Sequence, residues 1–183
     1  MKFATSNANK FAEAKKILGD DLEQIDIDVD EIQSIDVVDV VEHKAKAAYA
    51  VAGEPVIVED TGLYFEAWNN LPWALIKRFL STVERKWILQ MMHTFENRNA
   101  KAICCIGYFD GKDCTIATWT VKWTIATEMM GESNFWWDPI FIPEGYDKSF
   151  AQMTMEEKNA ISHRGKAFRE FAKLSKNELP IHI

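Results

Sequence analysis

Glycine is scarce in this chain, at eight residues in 183, and no internal repeat, low-complexity tract or linker interrupts it. That leaves one domain over residues 1–183, with or without a distinct lobe, and enough length to bury a sizeable core. Cysteine is nearly absent too, with three residues. Cys104 and Cys105 are neighbours in a predicted strand and point to opposite faces, and Cys114 stands alone, so buried free thiols are expected instead of a disulfide or a zinc site. Positive charge is not in excess: 21 basic against 28 acidic residues give a net charge of −7. Such a balance has no general attraction for nucleic acid or an anionic membrane, and a phosphate ligand has to be held by local cations or a metal. No apolar run approaches ~18 residues and the Met1 region lacks the apolar stretch of a signal peptide, so a soluble, cytoplasmic protein is expected. Against these shortages the chain has seven tryptophans, several in turn-like or strand-edge contexts.

The stretch Val56-Ile-Val-Glu-Asp-Thr-Gly62 organises the rest. Residues suited to a buried strand run into two acids, a hydroxyl and a glycine, which predicts a strand ending near Asp60 and a turn at Gly62. Ligands of open α/β sheets collect at that carboxyl end. An edge loop with solvated acids is the competing reading.

Ahead of it, residues 1–4 form a short strand, and Thr5-Ser-Asn-Ala-Asn-Lys10 is a polar loop entering a helix that buries Phe11, Ala14, Ile17 and Leu18. The loop can hold phosphate oxygens at the helix N-terminus, or its Ser6, Asn7 or Asn9 can simply cap the helix. Residues 22–29 alternate as a second strand, Asp30 to Gln33 form a loop, and a helix spans about 37–51 before Gly53 and Pro55. This alternation predicts an α/β fold with a mostly parallel start to the sheet. Residues 64–95 read as helical and aromatic, in two pieces, with Pro72 at the entry; the surplus of apolar side chains fits either a second lobe or a face for a partner chain. Asp110-Gly111 between two strand-like runs predicts a hairpin. The loop Met129 to Asp138 can sandwich a flat ring or act as an apolar plug, and a short strand follows at Pro139. Thr154-Met-Glu-Glu157 has the form of a capping box, with Lys158, His163 and Arg164 near the end of the helix it starts, where a solvated helix surface is the ordinary reading.

Four of these stretches resemble, in order and spacing, one family. Thr5 to Lys10, Val58-Glu-Asp-Thr-Gly62, Asp138-Pro-Ile-Phe141 and Phe150 to Arg164 are similar to the motifs of the inosine triphosphate pyrophosphatase family, also called Ham1-like or non-canonical purine NTP pyrophosphatases. The resemblance covers nearly the whole chain and leans to archaeal members. It implies an α/β, two-lobed fold: a long mixed β-sheet flanked by helices, with a central substrate cleft. It further implies Mg2+ dependence, a homodimer, and hydrolysis of ITP, dITP and XTP to the monophosphate and pyrophosphate by water attack on the α-phosphorus. Carried over by position, Thr5, Ser6, Asn7, Ala8, Asn9 and Lys10 hold the triphosphate. Asp60 is proton acceptor and metal ligand, with Glu31 its partner on the metal, Lys10 neutralises developing charge, and Thr61 contacts substrate. Phe135, Trp136, Trp137 and Asp138 line the base, and Lys158, His163 and Arg164 reach it. Glu59 is at most a companion to Asp60.

The chain departs from that pattern where Trp73, Trp119, Trp123 and Trp136, with Asn70 and Asn134, stand at positions usually held by glycine. Overpacking costs ~1–3 kcal/mol per site. A second reading follows, in which the scaffold folds but hydrolyses weakly or not at all because added bulk changes the pocket, with Trp136 the foremost suspect.

Overall fold

The computed structural model describes residues 1–133 and 137–178. Strand and helix alternate at first as β1 (Lys2–Ala4), α1 (Ala8–Leu18), β2 (Glu23–Ile25), α2 (Val37–Ala52) and β3 (Val56–Phe65). They continue as β4 (Pro72–Trp73), α3 (Ile76–Met92), β5 (Asn99–Phe109), β6 (Cys114–Ile125), β7 (Phe141–Pro143), α4 (Met155–Ile161) and α5 (His163–Glu178). The seven strands make one mixed sheet in the order β2-β1-β3-β5-β6-β7, with β4 added to the far part of β3. β1 is parallel to both its neighbours, and every later pairing is antiparallel.

Local chemistry accounts for the boundaries. The Asn7 carboxamide oxygen accepts hydrogen bonds from the backbone N–H groups of Asn9 and Lys10 at 3.0 and 3.2 Å, capping α1. Asp36 does the same for α2, which stops at Gly53 in the left-handed region, φ +69°. At α4 the capping box is complete: Thr154 Oγ1 accepts from Glu157 N at 3.2 Å, and Thr154 N donates to Glu157 Oε2 at 2.7 Å. The hairpin forms where expected, although its connection spans residues 110–113, with Asp110 Oδ1 accepting from Lys112 N and Asp113 N, both at 2.8 Å.

Two-residue periodicity sorts β3 and β5 between the helical layers. Ile57, Cys104 and Ile106 pack with Phe3, Leu18, Phe168 and Phe171 under α1 and α5. Val56, Val58 and Cys105 pack with Val41, Ala45 and Ala48 under α2, so the two thiols do lie on opposite faces, buried and free. The far halves of these strands form a third cluster, in which Leu63 and Phe65 meet Ile88 and Met92 of α3 and Trp123, Phe141 and Phe150. Each fully buried large apolar side chain contributes roughly 1.5–3 kcal/mol.

The central strand differs from expectation in a way that creates the site. β3 does not turn at Gly62 but runs on to Phe65, so Glu59 and Asp60 sit in mid-strand, not at its carboxyl end. On one side β5 pairs with all ten residues. On the other, β1 meets only Val56 and Ile57, and β4 only Leu63 and Tyr64, so among the described residues Val58 to Gly62 have no strand beside them. The sheet splits there, and the gap is the cleft between the lobes. Gly62 serves a close approach: a Cβ would lie 2.7 Å from the Tyr64 hydroxyl oxygen. The expected strand over residues 22–29 shortens to Glu23–Ile25, and Pro72 belongs to β4, with the helix starting at Ile76. α3 is broken at Glu84, φ +60° and ψ 159°, which yields the two predicted pieces.

The tryptophans and asparagines at suspected glycine positions divide by environment. Asn70 and Trp73 do adopt left-handed backbone, φ +69° and +55°. Trp123 is swallowed by the core, edge-on to Phe141 and Phe150 with ring centroids at 4.8 and 4.7 Å, and tilted against His163 at 5.4 Å. Trp119, on the same face of β6, is 37% exposed. Asn134 and Trp136 lie outside the described residues.

Two measurements test this description. Asn70→Gly removes the left-handed penalty and should raise stability by about 0.5–1 kcal/mol, whereas Asn70→Ala should lower it, read by thermal unfolding. His163 is buried, neither ring nitrogen has a hydrogen-bond partner among the described residues, and burial followed by the Arg164 charge pushes its pKa well below the usual value. A depressed histidine leaves stability intact above the unfolded pKa, about 6.5, and drains it as pH falls below, because the unfolded chain takes a proton the folded chain refuses. Denaturant midpoints between roughly pH 7.5 and 5.5 should fall for the parent, and fall less for His163→Phe; equal slopes would contradict the assignment.

Candidate active site

The unpaired middle of β3 sends its side chains alternately to the two helical layers. Glu59 and Thr61 face α1 and α5, and Asp60 faces α2. Glu59 has no exposed side-chain surface and is held on all sides. Lys10 Nζ lies 2.6 Å from Oε2, while Oε1 accepts from the Thr61 hydroxyl at 2.8 Å and from Arg164 Nε at 3.3 Å. Arg164 reaches on to Glu13 Oε2 at 2.9 Å, so two carboxylates and two cations form a buried, charge-balanced group. Burial pushes the Glu59 carboxyl up, but Arg164 and Lys10 outweigh it and hold it well below the usual carboxylate range.

Asp60 has the opposite balance. Burial raises its carboxyl above the ordinary value and the Glu59 charge adds to this, with Lys10 and Lys44 only partly offsetting them; Oδ1 accepts from Thr61 N at 2.9 Å. Glu31, at the far wall, is bound by Lys44 Nζ at 2.6 Å. Burial pushes the Glu31 carboxyl up, and Lys44, Lys77 and Lys10 together bring it below its usual range.

These groups surround a cavity of 820 Å3. Thr5, Ser6, Asn7, Ala8 and Lys10 form one wall, Glu59 to Thr61 the floor, Glu31 and Lys44 another wall, and Lys77 and Arg78 of α3 close it from the second lobe, with Trp137 and Arg164 at its edge. A second cavity, of 890 Å3, shares Glu31, Asp60, Lys77 and Arg78 and continues along α3. The cap and the phosphate reading of the first loop are therefore compatible: Asn7 spends its carboxamide oxygen on α1 while the loop still faces the cavity.

Not every candidate converges there. Asn9, Asp138 and Lys158 line a separate cavity of 360 Å3. In it Lys158 Nζ lies 2.6 Å from Asp138 Oδ2, and burial raises the Asp138 carboxyl against the pull of Lys158. Asp138 Oδ1 has no hydrogen-bond partner. His163 lies behind both cavities, against Trp123 and Trp137 at 5.4 and 6.0 Å. Lys158, His163 and Arg164 are all buried, which corrects the ordinary reading of a solvated helix surface. Phe135 and Trp136 lie outside the described residues. Sequence reading overlooked Lys44, Lys77, Arg78 and Glu13; the only hint was a Lys-Arg pair inside the apolar run Ala74 to Leu80.

Among the described residues no group of three or more histidine, cysteine or acidic side chains gathers as a metal cage. Glu31 and Asp60 do face the same space, and the upward displacement of Asp60 marks a buried carboxylate that is not fully neutralised. Two carboxylates open to a phosphate-sized cavity are a fitting donor set for a hard divalent cation that takes its other oxygens from substrate and water.

Known proteins agree over the whole length. Residues 1–174 match the model of the Ham1 family. The chain is 41% identical over 182 residues to the dITP/XTP pyrophosphatase of Methanopyrus kandleri, covering 97% of this chain and 96% of that protein. It is 39% identical to the inosine triphosphate pyrophosphatase of Scheffersomyces stipitis, covering 90% and 92%. The Staphylococcus aureus Ham1 protein superposes with a TM-score of 0.83 at 28% identity, over 97% of this chain and 98% of that one. With its split sheet, its acid-floored cavity and these matches in accord, the chain belongs to the Ham1 family.

Proposed function

We propose that this chain hydrolyses non-canonical purine nucleoside triphosphates, ITP, dITP and XTP, to the monophosphate and pyrophosphate. The observation that carries the reading is one cavity that joins a cationic lining, Lys10, Lys44, Lys77 and Arg78, to the carboxylates Glu31 and Asp60. Relatives named dITP/XTP and inosine triphosphate pyrophosphatase support the substrate class.

In this mechanism the loop from Thr5 to Lys10 receives the triphosphate, with the Ser6 hydroxyl, the Ala8 N–H at the start of α1 and the Lys10 ammonium meeting phosphate oxygens. Lys44, Lys77 and Arg78 hold the rest of the polyphosphate from the opposite wall. Mg2+, held by Glu31 and Asp60, would lower the charge on the phosphates and supply an ordered water. Asp60 orients or deprotonates the water that attacks the α-phosphorus. Thr61 steadies the substrate side of the floor. Trp137 and Arg164 at the edge of the 820 Å3 cavity, with Phe135 and Trp136, receive the base, whose far edge points toward Asp138, Lys158 and His163, which lie outside that cavity. Donors aimed at a 6-keto oxygen favour hypoxanthine or xanthine, since adenine carries its own donor there and leaves the site unpaired. Each chain acts as one two-lobed domain, paired as a homodimer, on free nucleotides of the cytoplasm, without nucleic acid or membrane; no described helix is long and apolar enough to cross a bilayer.

A second reading, a folded scaffold with weak turnover, is favoured by Trp123 more than by the tryptophans at 73 and 119. None of the three lines the 820 Å3 cavity, but Trp123 presses on His163, a proposed base contact, and its indole N–H is buried without a hydrogen-bond partner.

Pyrophosphate release from ITP should exceed that from ATP by about 100-fold or more, as expected where a buried donor is left unpaired. It should vanish with a chelator and in Asp60→Asn; equal rates on ITP and ATP would refute the base assignment. If the parent turns over slowly, Trp123→Gly and Trp136→Gly assayed separately identify the obstructing indole: recovery in one variant marks it, and recovery in neither removes occlusion as the cause.

A further inference from the structure

Glu59 is the one strongly held acid in the cleft to which the mechanism above gives no task. Its side chain has no exposed surface, against 19% for Lys10, so it cannot touch a substrate while Lys10 can. Lys10 Nζ pairs with Glu59 Oε2 as an ion pair at 2.6 Å while Lys10 also lines the cavity, so the ammonium sits between its anchor and the space a phosphate would occupy. A lysine on four rotatable bonds loses much side-chain freedom when a ligand fixes it. Glu59 makes that restriction in advance. Its own position is set by Thr61 at 2.8 Å and by Arg164 at 3.3 Å, and Arg164 is braced by Glu13 at 2.9 Å. Lys10 and Glu13 both belong to α1, and Arg164 stands in the first turn of α5. The group therefore ties two helices to the central strand next to Asp60.

Resting on the pyrophosphatase reading, we propose that Glu59 is a positioning residue that acts through Lys10, fixing the ammonium over the floor of the cleft where phosphate charge develops. It neutralises part of the Lys10 charge in the resting protein, so its loss should harm the chemical step more than the attraction for the triphosphate. A purely structural role would lower stability and raise KM without depending on Lys10.

The test is a double-mutant cycle on the full chain with ITP and magnesium, using Glu59→Gln and Lys10→Met, with Glu59→Asp as the milder variant. Glu59→Gln should lower kcat by about 10- to 100-fold, the usual cost of misplacing a group near the chemistry, without raising KM. In the Lys10→Met background the same change should cost nothing further. Glu59→Asp keeps the charge and should recover most of kcat; if the Gln variant does not fold by circular dichroism, the cycle is read with Asp, whose smaller loss should likewise vanish beside Lys10→Met. Losses that add independently, a loss confined to KM, or unchanged kcat in a folded variant would overturn the inference. A parent that does not turn over ITP counts against the pyrophosphatase reading instead. The position of the Lys10 ammonium is then followed directly by NMR of lysine-labelled protein, where a broadened or shifted Lys10 side-chain signal in folded Glu59→Gln sustains the positioning role and an unchanged signal ends it.

Discussion

The structure depends on a strand that keeps one neighbour and changes the other. β3 is hydrogen-bonded to β5 over its whole length, yet it loses β1 after Ile57 and does not gain β4 until Leu63. A central strand with a bare stretch is rare because its backbone N–H and C=O groups need partners. Here the bare stretch carries the polar residues of an otherwise apolar strand. Everything assigned to the cleft, from the first loop to α3, borders that gap.

Within it, strand alternation separates two acids that differ by one position in sequence. Glu59 turns toward α1 and α5 and meets two cations and a hydroxyl; Asp60 turns toward α2 and is left under-compensated. Neighbouring carboxylates whose surroundings drive their pKa values apart are suited to different tasks. An anion held by two cations anchors its neighbours, whereas a buried, under-compensated one has something to gain from a cation or a proton. Glu13, Arg164 and Glu59 are buried and Lys10 reaches them from the cavity wall, so the group balances in charge, which is what allows three ionised groups to be withdrawn from water.

Much of this was legible beforehand. The run Val56 to Val58, the α2 stripe and the Asp110-Gly111 turn announced their elements because each follows a short-range rule. The extension of β3 past Gly62 did not, since Thr-Gly after two acids has the composition of a turn; only pairing of Leu63 to Phe65 with distant strands overrides it. Glu59 and Asp60 stood out beside a predicted strand and Lys10 at the entry to a predicted helix, whereas Glu31 and the roles of all four came from motif resemblance. Lys44, Lys77 and Arg78 were missed because basic residues on helices are ordinarily solvated, and Glu13 because nothing local distinguishes an acid that will meet Arg164 from one that will meet water. Lys158, His163 and Arg164 show the same limit in reverse: their helix ends bury them against Asp138, Trp123 and Glu59, and the sequence does not say which face turns inward.

The positions where glycine was expected show what a fold does with bulk it has no obvious use for. At Asn70 and Trp73 the cost falls on the backbone, in left-handed φ, while the side chains remain outside the 820 Å3 cavity. At Trp123 the backbone is an ordinary strand and the cost falls on packing and polarity. The face shared with Ala117, Val121 and Ile125 is obliged to be buried, so the indole enters the core between Phe141, Phe150 and His163 and leaves its N–H unpaired. A residue in regular secondary structure cannot choose its direction; one in a loop can. An obstruction built into β6 is therefore hard for the protein to move aside.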